Sequence, residues 1–425
     1  MTRAPLRVAV LGAGTVGREV VRALLDHPDR LCAVDGSPLV LTGVACRDLE
    51  RAQAAGIPAR LLTDAPAHLV ADPDTDVIVE LLGGDEPART LIAAALSAGK
   101  PVVTANKHVI AHHGPALEAI ARRTGAALRF EAAVAGGIPV LGPLAADLAA
   151  NEVQRVRGIV NGTTNYILTA MATDGRAYAD VLADAQARGY AEADPAGDVE
   201  GDDAVNKLVI LARLAFGRWL EPSDIVRRPP TMHGSGAPGI TGVGDQALAA
   251  AAAFGLTIKL LATARPVDAG ILAGVLPTAV PADGPFGLMA GVLNRVEIDA
   301  DPLGSVSLAG PGAGGAATSS AVLGDLVAVA RWMSSTWAGR APASSGGPAD
   351  AALDPTTVAR NWFAFVRRQA APPAPSARST PGVQVVVLGD GLAIRVSGAS
   401  LDEAREAVRP MLAAGSDTTL YPIDD

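Results

Sequence analysis

The sequence predicts an α/β fold: an N-terminal doubly wound parallel sheet, followed by an α+β region and a small α+β C-terminal appendage. Three observations predict it. Strand-like apolar runs alternate with helical patterns through the first third of the chain. A glycine-rich turn separates the first strand from the first helix. Two segments rich in Ser, Ala, Gly and Pro then interrupt the last quarter. The expected segments are 1–135, 136–335 and 352–425.

Bulk properties narrow the function classes. At 425 residues the chain is too long for one compact core, so two or three domains are expected. The formal net charge of -9 argues against a nucleic-acid footprint, which wants a basic face. No apolar run reaches the length of a membrane span. The opening TRAPLRVAVLGAGTVGREV is broken by three glycines and reads as a strand entering a loop and helix, not as a cleavable signal. The only cysteines are Cys32 and Cys46, so a disulfide scaffold is excluded and a cytoplasmic location is expected. Only four lysines occur among the 35 basic residues: Lys100, Lys107, Lys207 and Lys259. Arginine stays protonated, whereas lysine works as an acid or base once its surroundings lower its pKa. Each lysine is therefore a candidate for chemistry.

Residues 6–26 open the first domain. LRVAVLG has the pattern of a buried strand, and Val16, Val20, Val21 and Leu24 recur at helical spacing. Between them Gly12, Gly14 and Gly17 satisfy G-x-G-x-x-G in the strand–turn–helix setting the motif requires. The first two glycines let the backbone turn and approach a pyrophosphate, and the third lets helix and strand pack closely. The phosphates sit at the helix N-terminus, where free N–H groups favour anions. A tight turn without ligand is the plainer reading of the same glycines. Further strand-like runs lie at 39–48, 76–84, 100–107 and 127–137, with helical patterns such as EPARTLIAAALSAG between several of them. The second run ends Cys46-Arg47-Asp48: an acid there bonds the ribose hydroxyls of NAD, and an arginine accepts the extra phosphate of NADP. Arg47 favours NADP, and Asp48 leaves NAD open.

Strands mixed with longer helices fill the second region. GIVNGTTNYILTAM (158–171) reads as a strand, an Asn-Gly turn and a helix. The stretch GYAEADPAGDVEGDDAVNKL (189–208) then crowds six carboxylates around Lys207. Asp203 and Lys207 are four residues apart and share one face of a helix, as a solvated ion pair worth about 0.3–0.5 kcal/mol also would. The acids match no calcium loop, and no Cys or His lies near enough for zinc.

Six segments in order, VAVLGAGTVG, VTANK, FEAAVAGGIPV, GIVNGTTNYIL, GYAEADPAGDVEGDDAVNKL and GPGAGGAATSSAVLGDL, resemble the homoserine dehydrogenase family along residues 5–330. The resemblance implies interconversion of L-homoserine and L-aspartate 4-semialdehyde with NADP or NAD, on the way to threonine, methionine and isoleucine. It implies that Lys207 gives and takes the proton at the reacting oxygen, with Lys107 of VTANK beside nicotinamide and substrate. Glu192 and Asp203 resemble the family's substrate-binding acids, and Asp198 an acid that supports them. Charge-assisted hydrogen bonds to the homoserine ammonium suit that assignment. Glu200 and Asp202 remain solvated or helix-start charges, and Asp194 a loop residue close to the site. Cofactor contacts are implied at Gly12, Gly14, Thr15, Val16, Gly17, Arg47, Gly83, Lys107, Gly189 and Gly314. Backbone carbonyls of Glu131, Val134, Gly136 and Ile138 are implied ligands of a sodium ion, and a homodimer formed through the second domain's sheet is implied as well.

The C-terminal end departs from the pattern. Residues 334–350 read as a linker, NWFAFVRR as a strand, APPAPSARSTPG as a second break, and the remainder as two strands and a helix. This suggests a shortened or diverged ACT-like unit. It lacks the aspartate–proline–glycine loop, so a structural or interaction role is expected at least as much as feedback by threonine. Aspartate-semialdehyde dehydrogenase needs a cysteine nucleophile, and none follows residue 46. A nicotinamide-binding module without chemistry fits poorly with the joint presence of Lys107, Lys207, Glu192 and Asp203. The chain opens directly on the dinucleotide strand, so a kinase fusion is not expected.

Overall fold

Short apolar segments with both faces covered assemble as a parallel sheet, because each return to the same edge requires a crossover helix. Here β1 (Leu6–Leu11), β2 (Leu39–Ala45), β3 (Leu62–Thr63), β4 (Val77–Glu80), β5 (Val102–Thr104) and β6 (Leu128–Arg129) stand in the order β3-β2-β1-β4-β5-β6. Every neighbouring pair is parallel. β4 and β5 are buried along their whole length. The direction of winding reverses between β1 and β4, and ligands of doubly wound sheets bind beyond the C-terminal ends of the strands at such a reversal.

This computed structural model describes residues 5–32, 36–337, 339–343, 351–367, 381–389, 391–413 and 415–424. The chain divides into two compact units. One is Met1–Gln154 with Asn206–Pro222 and Ile298–Asp350; the other is Arg155–Val205 with Ser223–Glu297 and Ala351–Asp425. Both units therefore draw on separated stretches of sequence, and this division differs from the segments 1–135, 136–335 and 352–425. The helix Gly315–Trp332 shows the physical reason. Its Val322, Leu326 and Val329 enter the core that Val8, Val10, Val20 and Val21 build around the first sheet.

Two local readings change in the structure. The run at 127–137 is a strand only at Leu128–Arg129; a 3-10 turn follows at Glu131–Ala133, and Ala135 and Gly136 then take left-handed backbone angles (φ 55° and 58°). The stretch from 334, which reads as a linker, instead packs along the edge of the sheet as far as it is described. Thr336 N donates to Leu128 O (3.0 Å), Ser335 Oγ accepts from Leu128 N (3.0 Å), and Trp337 is buried against Phe130. Residues 344–350, and 368–380 in the second break, lie outside the described residues.

In the second unit β7 (Glu152–Ile159), which starts in the first unit, pairs antiparallel with β8 (Leu256–Val267). β8 and β9 (Gly270–Pro281) form a long hairpin in register from Leu256↔Pro281 to Val267↔Gly270. β10 (Leu293–Asp301) flanks β7, while β11 (Gly304–Pro311) belongs to the first unit. The appendage supplies β12 (Ala352–Leu353), β13 (Arg360–Arg367), β14 (Val383–Val387), β15 (Gly391–Ala399) and β16 (Leu420–Ile423). Its main strands continue the sheet beyond β9 in the order β16-β13-β15-β14, each pair within the appendage antiparallel. The helix Leu401–Val408 covers them, started by a full Ser400–Glu403 capping box. No helix among the described residues is long and apolar enough to cross a membrane.

Candidate active site

The glycine loop sits where the winding reverses. Gly12 has φ +113°, and a Cβ there would stand 2.4 Å from Leu81 O, so no side chain fits. A Cβ on Gly17 would meet Gly12 O at 1.9 Å, which is the close helix–strand approach expected of the third glycine. Gly14 differs: nothing lies within 4 Å of its Cβ direction, and the helix Thr15–Asp26 starts immediately after it. Gly83 and Gly314 also face open space at φ +73° and +111°. Gly314 precedes the helix Gly315–Trp332, and a Cβ on Gly315 would stand 3.0 Å from Thr15 Cγ2. Thr15 and Val16 are the first two residues of the Thr15–Asp26 helix. Two tight glycines and several open ones make a cradle that fits a dinucleotide pyrophosphate.

At the end of β2, Arg47 and Asp48 separate in role. Asp48 caps the helix Leu49–Ala54, its Oδ1 accepting from Arg51 N at 2.9 Å. Arg47 is exposed beside it.

A buried polar chain links β4 and β5 to Lys107. Glu80 Oε1 accepts from Leu82 N (2.7 Å), and its Oε2 accepts from Thr104 Oγ1 (2.6 Å). Thr104 Oγ1 accepts from Asn106 N, Asn106 Nδ2 donates to Gly84 O, and Asn106 Oδ1 takes Val109 N. Asn106 thereby caps the helix Lys107–Thr124, whose first residue is Lys107. Burial pushes the Glu80 carboxyl up, and its hydrogen bonds oppose that only in part. The far half of this helix is tied to the helix Asp202–Phe216. Glu118 accepts from Arg213 Nε (2.9 Å) and Nη2 (2.6 Å) and from Trp219 Nε1 (2.8 Å), all deeply buried except the indole. Lys107 and Lys207 belong to the same unit, so the two lysine-bearing helices share this tie. Sequence reading missed both networks, because their members are scattered from 80 to 219; only Thr104 and Asn106 lie in a quoted segment, VTANK, where Lys107 alone drew a role.

Glu131 and its loop are organised by its side chain. The carboxylate accepts from the backbone N–H groups of Val140, Leu141 and Gly142 at 2.7–2.8 Å. Burial, then the neighbouring Asp325 charge, push its carboxyl up. Of the four carbonyls at Glu131, Val134, Gly136 and Ile138, that of Glu131 accepts a 3.3 Å bond from Val134 N. The left-handed turn at Ala135–Gly136 lies between the others. A Cβ on Gly136 would meet Gly312 O at 2.5 Å.

The acidic stretch lies in the second unit up to Val205. Asp203 is buried and Asp198 half-buried, and the structure brings them together on one amide: Asn161 Nδ2 donates to Asp198 Oδ1 (2.7 Å) and to Asp203 Oδ2 (2.8 Å). Asn161 is not a turn residue as its Asn-Gly pairing suggests; it caps the helix Gly162–Asp174 through Thr164 N. Glu192 is exposed, and its backbone carbonyl accepts from Gln186 Nε2 at 3.1 Å. Gly189 ends the preceding helical turn at φ +73° with open space before it. Asp194 bonds Ala196 N, and exposed Asp202 pairs with Arg227. Lys207 follows Asp203 by one helical turn and is 8% exposed.

Comparison with known proteins adds the family. Residues 12–131 match the model for the NAD-binding domain of homoserine dehydrogenase, and residues 139–327 match the homoserine dehydrogenase model. Homoserine dehydrogenase of Mycobacterium tuberculosis is 46% identical over 332 residues, 77% of this chain and 73% of that protein. The structure of a homoserine dehydrogenase from Thiobacillus denitrificans superposes with a TM-score of 0.84 at 32% identity, covering 100% of this chain and 99% of that one. A hyperthermophilic archaeal homoserine dehydrogenase in complex with NADPH superposes with a TM-score of 0.62 at 26% identity, covering 76% and 97%.

Proposed function

The chain belongs to the homoserine dehydrogenase family, and on that premise we propose how its residues share the reaction. The protein is an NAD(P)-dependent oxidoreductase that interconverts L-homoserine and L-aspartate 4-semialdehyde in amino-acid biosynthesis. The nicotinamide, when bound, accepts or supplies the hydride at C4 of the substrate. Everything else falls to the side chains.

Lys207 stands at the substrate oxygen, stabilises the charge that develops there and carries its proton. Lys107 is its cationic partner. Glu192 and Asp203 take the substrate ammonium, with Asp198 behind Asp203. The observation that carries this reading is the Asp198–Asn161–Asp203 cluster, followed one turn later on the same helix by a nearly buried lysine. The cradle is made by Gly12, Gly14, Thr15, Val16 and Gly17, completed by Gly83 and Gly314, and Gly189 is a further proposed cofactor contact. NADP is the preferred form, because Asp48 is spent on a helix cap while Arg47 is exposed at the position that meets a 2′-phosphate.

Three further assignments rest on the same premise. Sodium is held by the carbonyls of Glu131, Val134, Gly136 and Ile138, a hard-cation set. A homodimer forms through the second unit, where Leu288, Val292 and Leu293 are exposed. The protein works in the cytoplasm, and its two cysteines form no disulfide. Functionally the chain reads as cofactor segment 1–135, catalytic segment 136–335 and appendage 352–425, the first two paralleled by the family matches.

One kinetic experiment tests the reading. Oxidation of L-homoserine is followed with NADP and with NAD, in sodium and in sodium-free buffer, on protein whose mass in solution is measured by light scattering. Turnover should favour NADP, fall without sodium and come from a dimer. Lys207→Ala should lower kcat by about 10²–10⁴-fold while cofactor still binds. Undiminished turnover by a folded Lys207→Ala protein would remove the lysine from the chemistry.

A further inference from the structure

We propose that Asn161 is a positioning residue for the substrate's ammonium site: its single amide fixes Asp198 and Asp203 as one oriented pair of carboxylates. The proposal rests on the reading that Asp203 receives the ammonium.

The argument starts from what an amide can do. An asparagine has one acceptor oxygen and two N–H donors. Asn161 uses all of them. Its Oδ1 accepts from Thr164 N at 2.8 Å, capping the helix Gly162–Asp174, and its two N–H groups go to Asp198 Oδ1 at 2.7 Å and Asp203 Oδ2 at 2.8 Å. The cap fixes which way the amide faces. Turned over, it would set its NH₂ against the Thr164 N–H and its oxygen against two carboxylates, losing three bonds and adding repulsion. The side chain is 5% exposed, so water does not replace any of these bonds cheaply.

The consequence is a fixed spacing. Two donors on one trigonal nitrogen hold their acceptor oxygens about 4–5 Å apart. Two carboxylates left at that distance repel, and one of them takes up a proton. Asn161 offsets this with two charge-assisted hydrogen bonds that aim both carboxylates. Thr163 Oγ1 also lies 3.2 Å from Asp198 Oδ2, but its one hydrogen is shared with Tyr190 O at 2.6 Å. Asn161 stands two residues past the end of β7 at Ile159 and opens a 13-residue helix. The anchor is therefore a strand end and a helix start, not a loop tip.

A plain cap and a positioning residue answer differently to two substitutions. Asn161→Asp keeps the cap, since Asp caps as well as Asn, but it replaces both donors by a third carboxylate. Asn161→Ala removes cap and donors and adds no charge. Positioning requires that KM not simply follow melting temperature. Asn161→Asp should raise KM for L-homoserine by about tenfold or more, with kcat falling less and KM for the cofactor unchanged, while the third carboxylate also lowers its melting temperature. Asn161→Ala should also melt lower than the parent protein yet raise that KM less. If Asn161→Asp misfolds, Asn161→Ser supplies the comparison, keeping the cap with one donor and giving an intermediate KM. An Asn161→Asp or Asn161→Ser protein with the parental KM overturns the proposal, as does loss of activity that merely tracks loss of stability. Asp203→Asn is run alongside. If it leaves KM for homoserine unchanged, the ammonium reading itself fails and the proposal with it. If it raises KM while the Asn161 variants do not, only the proposal fails.

Discussion

Lys259 shows how much a single side chain decides. Of the four lysines it is 2% exposed, on β8, and donates to Asn165 Oδ1 (3.0 Å), Thr169 Oγ1 (2.9 Å) and Met289 O (2.7 Å). Burial lowers its pKa to about 8. Unfolded, it titrates at the ordinary value near 10.4. Between those two values the unfolded chain binds the extra proton, so stability rises with pH across that window and the cost of charging the buried amine is fully present below it. The protein should gain stability from pH 7.5 to pH 10 by more than a Lys259→Met variant does, read as denaturation midpoints. Equal gains would mean the amine is not held neutral more readily than in water. At this scale the sequence was legible only where a residue's type limits its role. Lysine scarcity marked all four lysines as candidates, and of the three motif glycines Gly12 and Gly17 stand where no Cβ fits while Gly14 faces open space. Asn161 was not legible, because Asn-Gly signals a turn locally and its real partners lie 37 and 42 residues away.

Helices that carry the proposed chemistry are placed by pairs remote from it. Glu118 and Arg213 join the helices that bear Lys107 and Lys207, and both side chains are buried. Burial by itself would raise the Glu118 carboxyl; the hydrogen bonds from Arg213 and Trp219 and the Arg213 charge outweigh it and hold the carboxyl below its ordinary range. The sign follows: this contribution is present above the unfolded carboxylate value and is lost as pH falls through the lower folded one. Glu118→Ala leaves a buried guanidinium uncompensated and should cost about 3–5 kcal/mol at neutral pH. Replacing both partners by methionine should cost clearly less, since no charge is then stranded. Urea unfolding of the two variants measures this, and a double variant as unstable as Glu118→Ala would mean that packing, not charge, makes the tie. Element types were legible from periodicity, and element partners were not. The helix Gly315–Trp332 reads as helical in any window, yet only the folded chain shows its Val322 and Leu326 in the core of the first sheet. β3 and β16, two and four residues long, are too short to carry a pattern.

At the scale of the whole chain, the appendage is continuous with the second unit's sheet. β16 pairs with β13 over Leu420–Ile423 and touches β9 at Ile423↔Ala279. Asp424 then pairs with Arg155 (3.2 Å) and with Arg157, whose other partner is Glu297. Tyr421 is buried and stacks on Phe363 at 5.9 Å between ring centres. The sequence segment 352–425 looks like a separable module because two low-complexity breaks frame it, but a strand edge leaves no trace in composition. β9 is the element at stake: it is buried from Gly270 to Val280, and β12 and β16 cover its outer edge. A chain ended before residue 351 would present that apolar edge with its N–H and C=O groups open, the arrangement that pairs with other chains. Such a truncated protein should self-associate beyond the parental oligomer in light scattering and melt lower. If it instead stays at the parental mass and retains the parental melting temperature, the appendage is a detachable unit. Its role must then be sought in binding, since the sheet would not need it.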